Sequence, residues 1–186
     1  MTDTSVKKPG PAYLPGDPVP PVEAMIRVDH AGEYGAVRIY QGQLAVLPPG
    51  PTRDAVAVME AQEQEHLETF NELIVSRRVR PTALSPLWHL AGYALGALTG
   101  RLGPQAAMAC TVAVEEVIDE HYRDQAEQLG EDEIHLKEVI KKFREDELEH
   151  RDTALDHDAE QAIGYPVLSA LVKAGSRAAI WLSTRI

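Results

Sequence analysis

Two tetrads, Glu63-Gln64-Glu65-His66 and Glu147-Leu148-Glu149-His150, constrain the fold of this chain more than any other feature. On an α-helix, positions three apart share a face, so each tetrad turns a carboxylate and an imidazole toward one point. By themselves the tetrads carry little weight: with seven histidines and glutamate near a tenth of the residues, about 0.7 such pairs arise by chance. Their setting changes that. Glu33 stands 30 residues before Glu63, and Glu115 stands 32 before Glu147. The run Pro48-Pro49-Gly50-Pro51 breaks the first interval near its middle, and Gly130 breaks the second. At about 1.5 Å per residue, Glu33 and Glu63 each lie ~20–24 Å from their turn. An antiparallel helical hairpin therefore sets them side by side, and the same reasoning pairs Glu115 with Glu147. The two halves repeat with an offset of 82 to 84 residues. Tyr40 and Tyr122 each follow the single glutamate by seven, on the same helical face.

Proline and glycine divide the rest of the chain. Residues 1–21 hold six prolines and read as a loose arm. Helical patterns run over 22–47, from Thr52 as an N-cap to about Val79, from Pro104 to about Gly130, and from Asp132 to about Ala162. Gly164 and Pro166 precede a last helix over roughly 167–184. Residues 84–103 are apolar and glycine-rich. Aromatic residues are only 5%, and Ala, Leu, Glu and Gln are plentiful, which favours helix over sheet. The 186 residues fit one helical domain over 22–186 behind the arm. A net charge of −11 argues against nucleic acid as a partner, because phosphate binding needs a basic face. Cys110 is the only cysteine, so no intrachain disulfide forms, and its apolar surroundings make it an expected inert core residue. No apolar stretch follows Lys7 and Lys8, so no secretory signal is read there.

Four carboxylates and two imidazoles turned inward are costly unless a cation neutralises them. Two divalent ions balance the four negative charges. One glutamate from each of two helices, with Glu-x-x-His from the other two, is the ligand set of ferritin-like di-iron bundles. The fold class expected is therefore all-α, a ferritin-like four-helix bundle with additional apolar, interfacial helical segments. Glu33, Glu63, His66, Glu115, Glu147 and His150 are the candidate iron ligands. Glu63 and Glu147 are placed as bridges, with Glu33 and His66 completing one iron and Glu115 and His150 the other. Mixed oxygen and nitrogen donors suit iron or manganese. Glu116 lies about 100° around the helix from Glu115 and falls off the inward stripe. Glu65, Glu68, Glu145 and Glu149 are expected to be solvated.

Five stretches carry a family resemblance: Ile26-Arg27-Val28-Asp29-His30-Ala31-Gly32-Glu33-Tyr34-Gly35-Ala36, Phe70-Asn71-Glu72-Leu73, Arg78-Val79-Arg80-Pro81-Thr82, Ala107-Met108-Ala109-Cys110-Thr111-Val112-Ala113-Val114-Glu115-Glu116, and Leu155-Asp156-His157-Asp158-Ala159-Glu160. From about residue 23 onward the chain resembles the demethoxyubiquinone hydroxylases of ubiquinone biosynthesis. The family's six iron ligands fall on the six residues derived above. The resemblance implies a di-iron monooxygenase that hydroxylates the ring of demethoxyubiquinol, with dioxygen as co-substrate and NADH or the quinol itself as electron source. It also implies a lipid-binding accessory protein as partner, and roles for His121 and Tyr122 in electron transfer or substrate contact. By spacing, Tyr122 shares the Glu115 face and is a tentative catalytic residue, whereas His121 points elsewhere and is expected on the surface.

A polyprenylated quinol requires access to a membrane. Residues 86–102 carry Leu87, Trp88, Leu90, Tyr93, Leu95, Leu98 and Leu102, with Gly92, Gly96 and Gly100 at four-residue spacing. The run falls short of the ~20 residues that span a bilayer, so an interfacial or re-entrant segment is expected, with close helix packing through the glycines as the other reading. The last helix combines Leu168, Leu171, Val172, Ala178 and Leu182 with Lys173, Arg177 and Arg185, and Trp181 near its end, a pattern suited to lying on anionic lipid. Peripheral attachment at the cytoplasmic face of the inner (cell) membrane follows as an expectation, with a homo-oligomer left open. The competing function is another ferritin-like di-iron protein, a peroxidase or an iron-storage bundle, against which the apolar segments weigh.

Overall fold

A computed structural model describes residues 21–186; the expected proline-rich arm lies, but for Pro21, outside the described residues. Six α-helices account for most of them: α1 (Pro21–Val46), α2 (Pro51–Arg77), α3 (Ser85–Leu102), α4 (Pro104–Gln128), α5 (Ile134–Asp156) and α6 (Tyr165–Ser183). Short 3₁₀ turns at Glu131–Glu133 and Ala159–Gln161 precede α5 and α6. Helices α1 and α2 form one hairpin and α4 and α5 the other, and α3 carries the chain between them while packing along α1. Helix α6 returns along α4. This is the ferritin-like helical bundle expected from the spacing.

Helix boundaries follow local chemistry, and several differ from expectation. Helix α2 starts at Pro51, not after Thr52: Gly50 supplies the N-cap with φ 153°, and Pro51 sits in the first turn, where its missing N–H costs nothing. The same helix ends two residues early, in a Schellman motif. Arg78 takes the left-handed conformation at φ 54°, its N–H bonds the Val75 carbonyl, and the Val79 N–H bonds that of Ile74. Helix α5 stops at Asp156 instead of about Ala162, because the chain turns left-handed at Asp158 (φ 62°) and tightens into the 3₁₀ turn.

The core has two apolar ends. Ile26, Phe70, Ile74, Tyr122, Ile140 and Phe143 fill one; Tyr40, Val56, Met59, Met108, Val112 and Ala154 fill the other. On every bundle helix the candidate ligands lie between residues of the two ends, so the polar layer is sandwiched in apolar packing. Cys110 is fully buried against α3, and burial pushes its thiol up to about 12, in keeping with an inert core residue.

The glycine row of α3 packs against α1. A Cβ on Gly96 would fall 1.9 Å from the Ile39 carbonyl oxygen, and one on Gly42 of α1 would fall 2.2 Å from that of Tyr93. Among the described residues no helix is long and apolar enough to cross a membrane. The outer faces of α3 and α6 nevertheless expose Leu87, Leu90, Leu98, Leu102, Val167, Leu171 and Trp181. Lys173 and Arg177, expected to face anionic lipid, instead pair with Glu116 and Glu120 of α4. Their stems reach along α4 to carboxylates that lie off its buried stripe.

Candidate metal centre

Glu33 of α1, Glu63 and His66 of α2, Glu115 of α4, and Glu147 and His150 of α5 meet in mid-bundle, each at most 3% exposed. Their donor atoms form two overlapping sets. Glu33, Glu63, His66 and Glu147 converge on one point, and Glu63, Glu115, Glu147 and His150 on another; within each set the atoms lie within 4.8 Å of one another. Glu63 and Glu147 belong to both sets, the arrangement expected of bridging carboxylates. Glu65, Glu68, Glu145 and Glu149 are exposed, as their positions on the helices require.

The electrostatics fit a pair of cations. Burial pushes the carboxyls of Glu63 and Glu115 well above the usual range, and repulsion from Glu147 adds to it. Burial works against the charged form of His66 as well, but the facing carboxylates of Glu147 and Glu33 outweigh it and bring the imidazole up to about 10. Burial opposes the charge on Glu147, yet His150 and His66 draw it down to about 2. Glu63 Oε1 and His66 Nδ1 are buried close to other atoms of the cluster but make no well-directed hydrogen bond. Orphaned donor atoms of this kind, aimed into a shared space, are what a metal ion satisfies.

Two tyrosines close the layer. Tyr40 of α1 donates to Glu115 Oε1 at 2.8 Å, and Tyr122 of α4 donates to Glu33 Oε1. Each hairpin's tyrosine thus holds the other hairpin's glutamate. Burial pushes both phenols well up, Glu115 adding to it at Tyr40 and Glu33 at Tyr122, so both remain protonated donors. The cross-pairing was not legible from the seven-residue spacing, which only put each tyrosine on the ligand face.

His121 corrects the surface expectation. Its side chain is 17% exposed, and its Nε2 lies 3.0 Å from Oδ1 of Asp29, a carboxylate buried beneath it. Gln125 donates to the same oxygen at 2.8 Å. Burial raises the Asp29 carboxyl, and these two partners oppose that rise. The helical wheel gave the direction of His121 correctly as off the ligand face; it could not show that α1 brings a carboxylate to meet it.

An apolar cavity of about 260 Å³ lies beside the centre, between α1, α3, α4 and α6. Gly35, Ala36, Leu95, Val114 and Ala179 are among its walls. Ala36, Ile39 and Val114 of its wall also border a seam beside Tyr40 and Glu115 that is too tight for a water molecule. An apolar chamber beside a buried carboxylate–histidine cluster suits an apolar substrate.

The fold and the cluster define a ferritin-like helical bundle whose core residues could hold metal ions. Comparison with known proteins narrows this. The family described as ubiquinone biosynthesis protein COQ7 matches residues 21–183, and the chain belongs to that family. It is 56% identical over 178 residues to the 3-demethoxyubiquinol 3-hydroxylase of Rhodospirillum rubrum, covering 93% of this chain and 83% of the relative. It is 54% identical over 169 residues to the mitochondrial NADPH-dependent 3-demethoxyubiquinone 3-hydroxylase of Homo sapiens, covering 89% and 78%. The mitochondrial 5-demethoxyubiquinone hydroxylase of Saccharomyces cerevisiae is 42% identical over 182 residues, covering 89% and 78%.

Proposed function

We propose that this chain is a 3-demethoxyubiquinol 3-hydroxylase, an oxidoreductase of ubiquinone biosynthesis that uses dioxygen at a di-iron centre. The observation that carries the reading is a cluster with two overlapping four-residue ligand sets, beside an apolar chamber whose wall residues Ala36 and Val114 also lie against Glu115. Similarity over 89–93% of this chain to proteins bearing that activity in their names supports it.

Glu33, Glu63, His66 and Glu147 would hold one iron, and Glu63, Glu115, Glu147 and His150 the other. When bound, the ferrous pair supplies the electrons and Lewis acidity for cleaving dioxygen. One oxygen atom enters a ring C–H bond, and the other leaves as water with two electrons and two protons from a reductant. The names of the eukaryotic relatives make NADPH a reductant to try alongside NADH, and the quinol itself is the other choice.

The chain's own residues have separable tasks. Tyr40 and Tyr122 orient the outer oxygens of Glu115 and Glu33. The apolar ends of the core exclude water from the cluster, which strengthens every charge interaction inside it. Val114 and Ile39 direct the quinol ring toward the Glu115 half. The exposed leucines of α3, with Val167, Leu171 and Trp181 of α6, would rest on a bilayer, peripherally, and let the polyprenyl tail enter between the two helices.

The test is direct. Chain loaded with ferrous iron, given demethoxyubiquinol, reductant and dioxygen, should yield the ring-hydroxylated quinol. Glu147→Ala should abolish product while helicity stays largely intact. Cells lacking the gene should accumulate demethoxyubiquinone, and normal ubiquinone levels in them would overturn the assignment.

A further inference from the structure

The two halves of the centre repeat in their inward residues but differ in what stands behind the histidines. Both rings turn Nδ1 inward. His66 Nδ1 lies 3.3 Å from Glu147 Oε1, and His150 Nδ1 lies 3.1 Å from Glu147 Oε2 and 3.2 Å from Glu63 Oε1. Both rings turn Nε2 outward, to a partner on the opposite hairpin. His66 Nε2 lies 3.1 Å from Asp146 Oδ2, and His150 Nε2 lies 3.1 Å from Gln62 Oε1. Each partner immediately precedes the glutamate of its own Glu-x-x-His tetrad, and positions 62 and 146 are related by the same 84-residue offset as the ligands. The repeat keeps the position and changes the charge.

When an ion takes the place of the inward proton, both acceptors keep the remaining proton on Nε2 and leave the Nδ1 lone pair to the ion. They differ in strength. A carboxylate pulls harder on the Nε2 proton than an amide carbonyl does, leaves more electron density on the ring, and adds a negative charge behind it. We propose that the two metal positions are therefore unequal, and that the one built on His66, with Glu33, Glu63 and Glu147, takes and retains the first divalent ion because Asp146 stands behind its histidine. Asp146 and Gln62 are positioning residues; neither belongs to the two converging ligand sets. The inference rests on reading the cluster as a two-metal site.

Full-length protein stripped with a chelator and titrated anaerobically with ferrous iron alone tests it. The wild type should bind two ions in two resolved steps. His66→Ala should remove the tight step and His150→Ala the weak one. Asp146→Asn should weaken the tight step by about tenfold or more, the usual effect of losing such an outer partner. Asp146→Glu should restore much of it, and Gln62→Glu should tighten the weak step and narrow the gap. Asp146 reaches solvent, with its side chain 26% exposed, so metal-free Asp146→Asn should lose only a small part of its melting temperature, less than the lost affinity would require. Two steps of equal affinity, an Asp146→Asn isotherm like the wild type's, the reverse assignment by the histidine variants, or a lowered metal-free melting temperature that accounts for the lost affinity would each overturn the proposal. A wild type that binds no ferrous iron would overturn the two-metal reading itself and this proposal with it; two equal steps would overturn this one alone.

Discussion

Helices α3 and α6 both lie outside the four-helix bundle, yet they are attached in opposite ways. Helix α3 meets α1 backbone to backbone: Gly96 and Gly42 leave no room for a Cβ, and one on Gly92 would fall 2.9 Å from the Gly35 carbonyl oxygen. Helix α6 meets α4 through side chains, with Leu168 and Val172 packed on Cys110 and Val114 and the ion pairs Lys173–Glu116 and Arg177–Glu120. A Cβ on its own Gly175 would touch nothing within 4 Å. Backbones in contact have no rotamers with which to yield, whereas side-chain contacts can repack. Helix α3 is thus the fixed wall of the apolar chamber and α6 the adjustable one.

The sharpest way to break this comparison is Gly96→Ala. One methyl group placed 1.9 Å from the Ile39 oxygen should cost about 3 kcal/mol in denaturant unfolding. A wild-type midpoint would mean that α3 is not seated on α1 as described. Next comes pH. Among the described residues the buried charged side chains lie on the bundle helices and none on α3 or α6, so the pH dependence of stability should come from the bundle, chiefly from the metal centre with Asp29 adding to it. In metal-free protein, Glu63 and Glu115 are raised above their unfolded values and His66 is raised from 6.5 to about 10. The folded state then holds more protons than the unfolded one, so stability should fall as pH rises from about 5 toward 10, by about 3 °C per pH unit for each proton retained. Ferrous loading should flatten this slope, and a metal-free melting temperature that climbs over the range would reverse the sign argued here.

Ala36 borders both the chamber and the seam beside Glu115. Ala36→Leu should lower hydroxylation by about tenfold with iron content unchanged; full turnover would show that substrate does not pass there. Gly175→Ala, the counterpart of Gly96→Ala on the yielding helix, should be neutral or gain up to about 1 kcal/mol from helix propensity. Lys173→Ala should change stability by about 0.5 kcal/mol or less, because its partner is partly exposed; a larger loss would make α6 a fixed wall too.

Much of the architecture was readable because it depends on spacing. Proline and glycine marked the hairpin turns, and equal distances from those turns placed Glu33 opposite Glu63 and Glu115 opposite Glu147. Boundaries that depend on one residue's dihedral angles, such as Arg78 and Asp158 in the left-handed region, were not readable, since arginine rarely adopts that conformation and aspartate does so at only a few of its positions. Nor were contacts between hairpins. Tyr40 on Glu115, Asp146 on His66 and His121 on Asp29 join positions 75, 80 and 92 residues apart. The 84-residue repeat could have flagged Gln62 and Asp146 as matched positions, but not that each reaches the other hairpin's histidine.

The sequence by itself determined an all-helical chain with two matched hairpins and a set of six inward donors, because periodicity and turn chemistry are local and a buried charge needs a counterion wherever it lies. Tertiary structure decided how the halves interlock: tyrosines crossed between hairpins, unequal partners behind the two histidines, and a glycine face pressed on α1 rather than on lipid. Those outcomes depend on distances between helices, and only packing sets them.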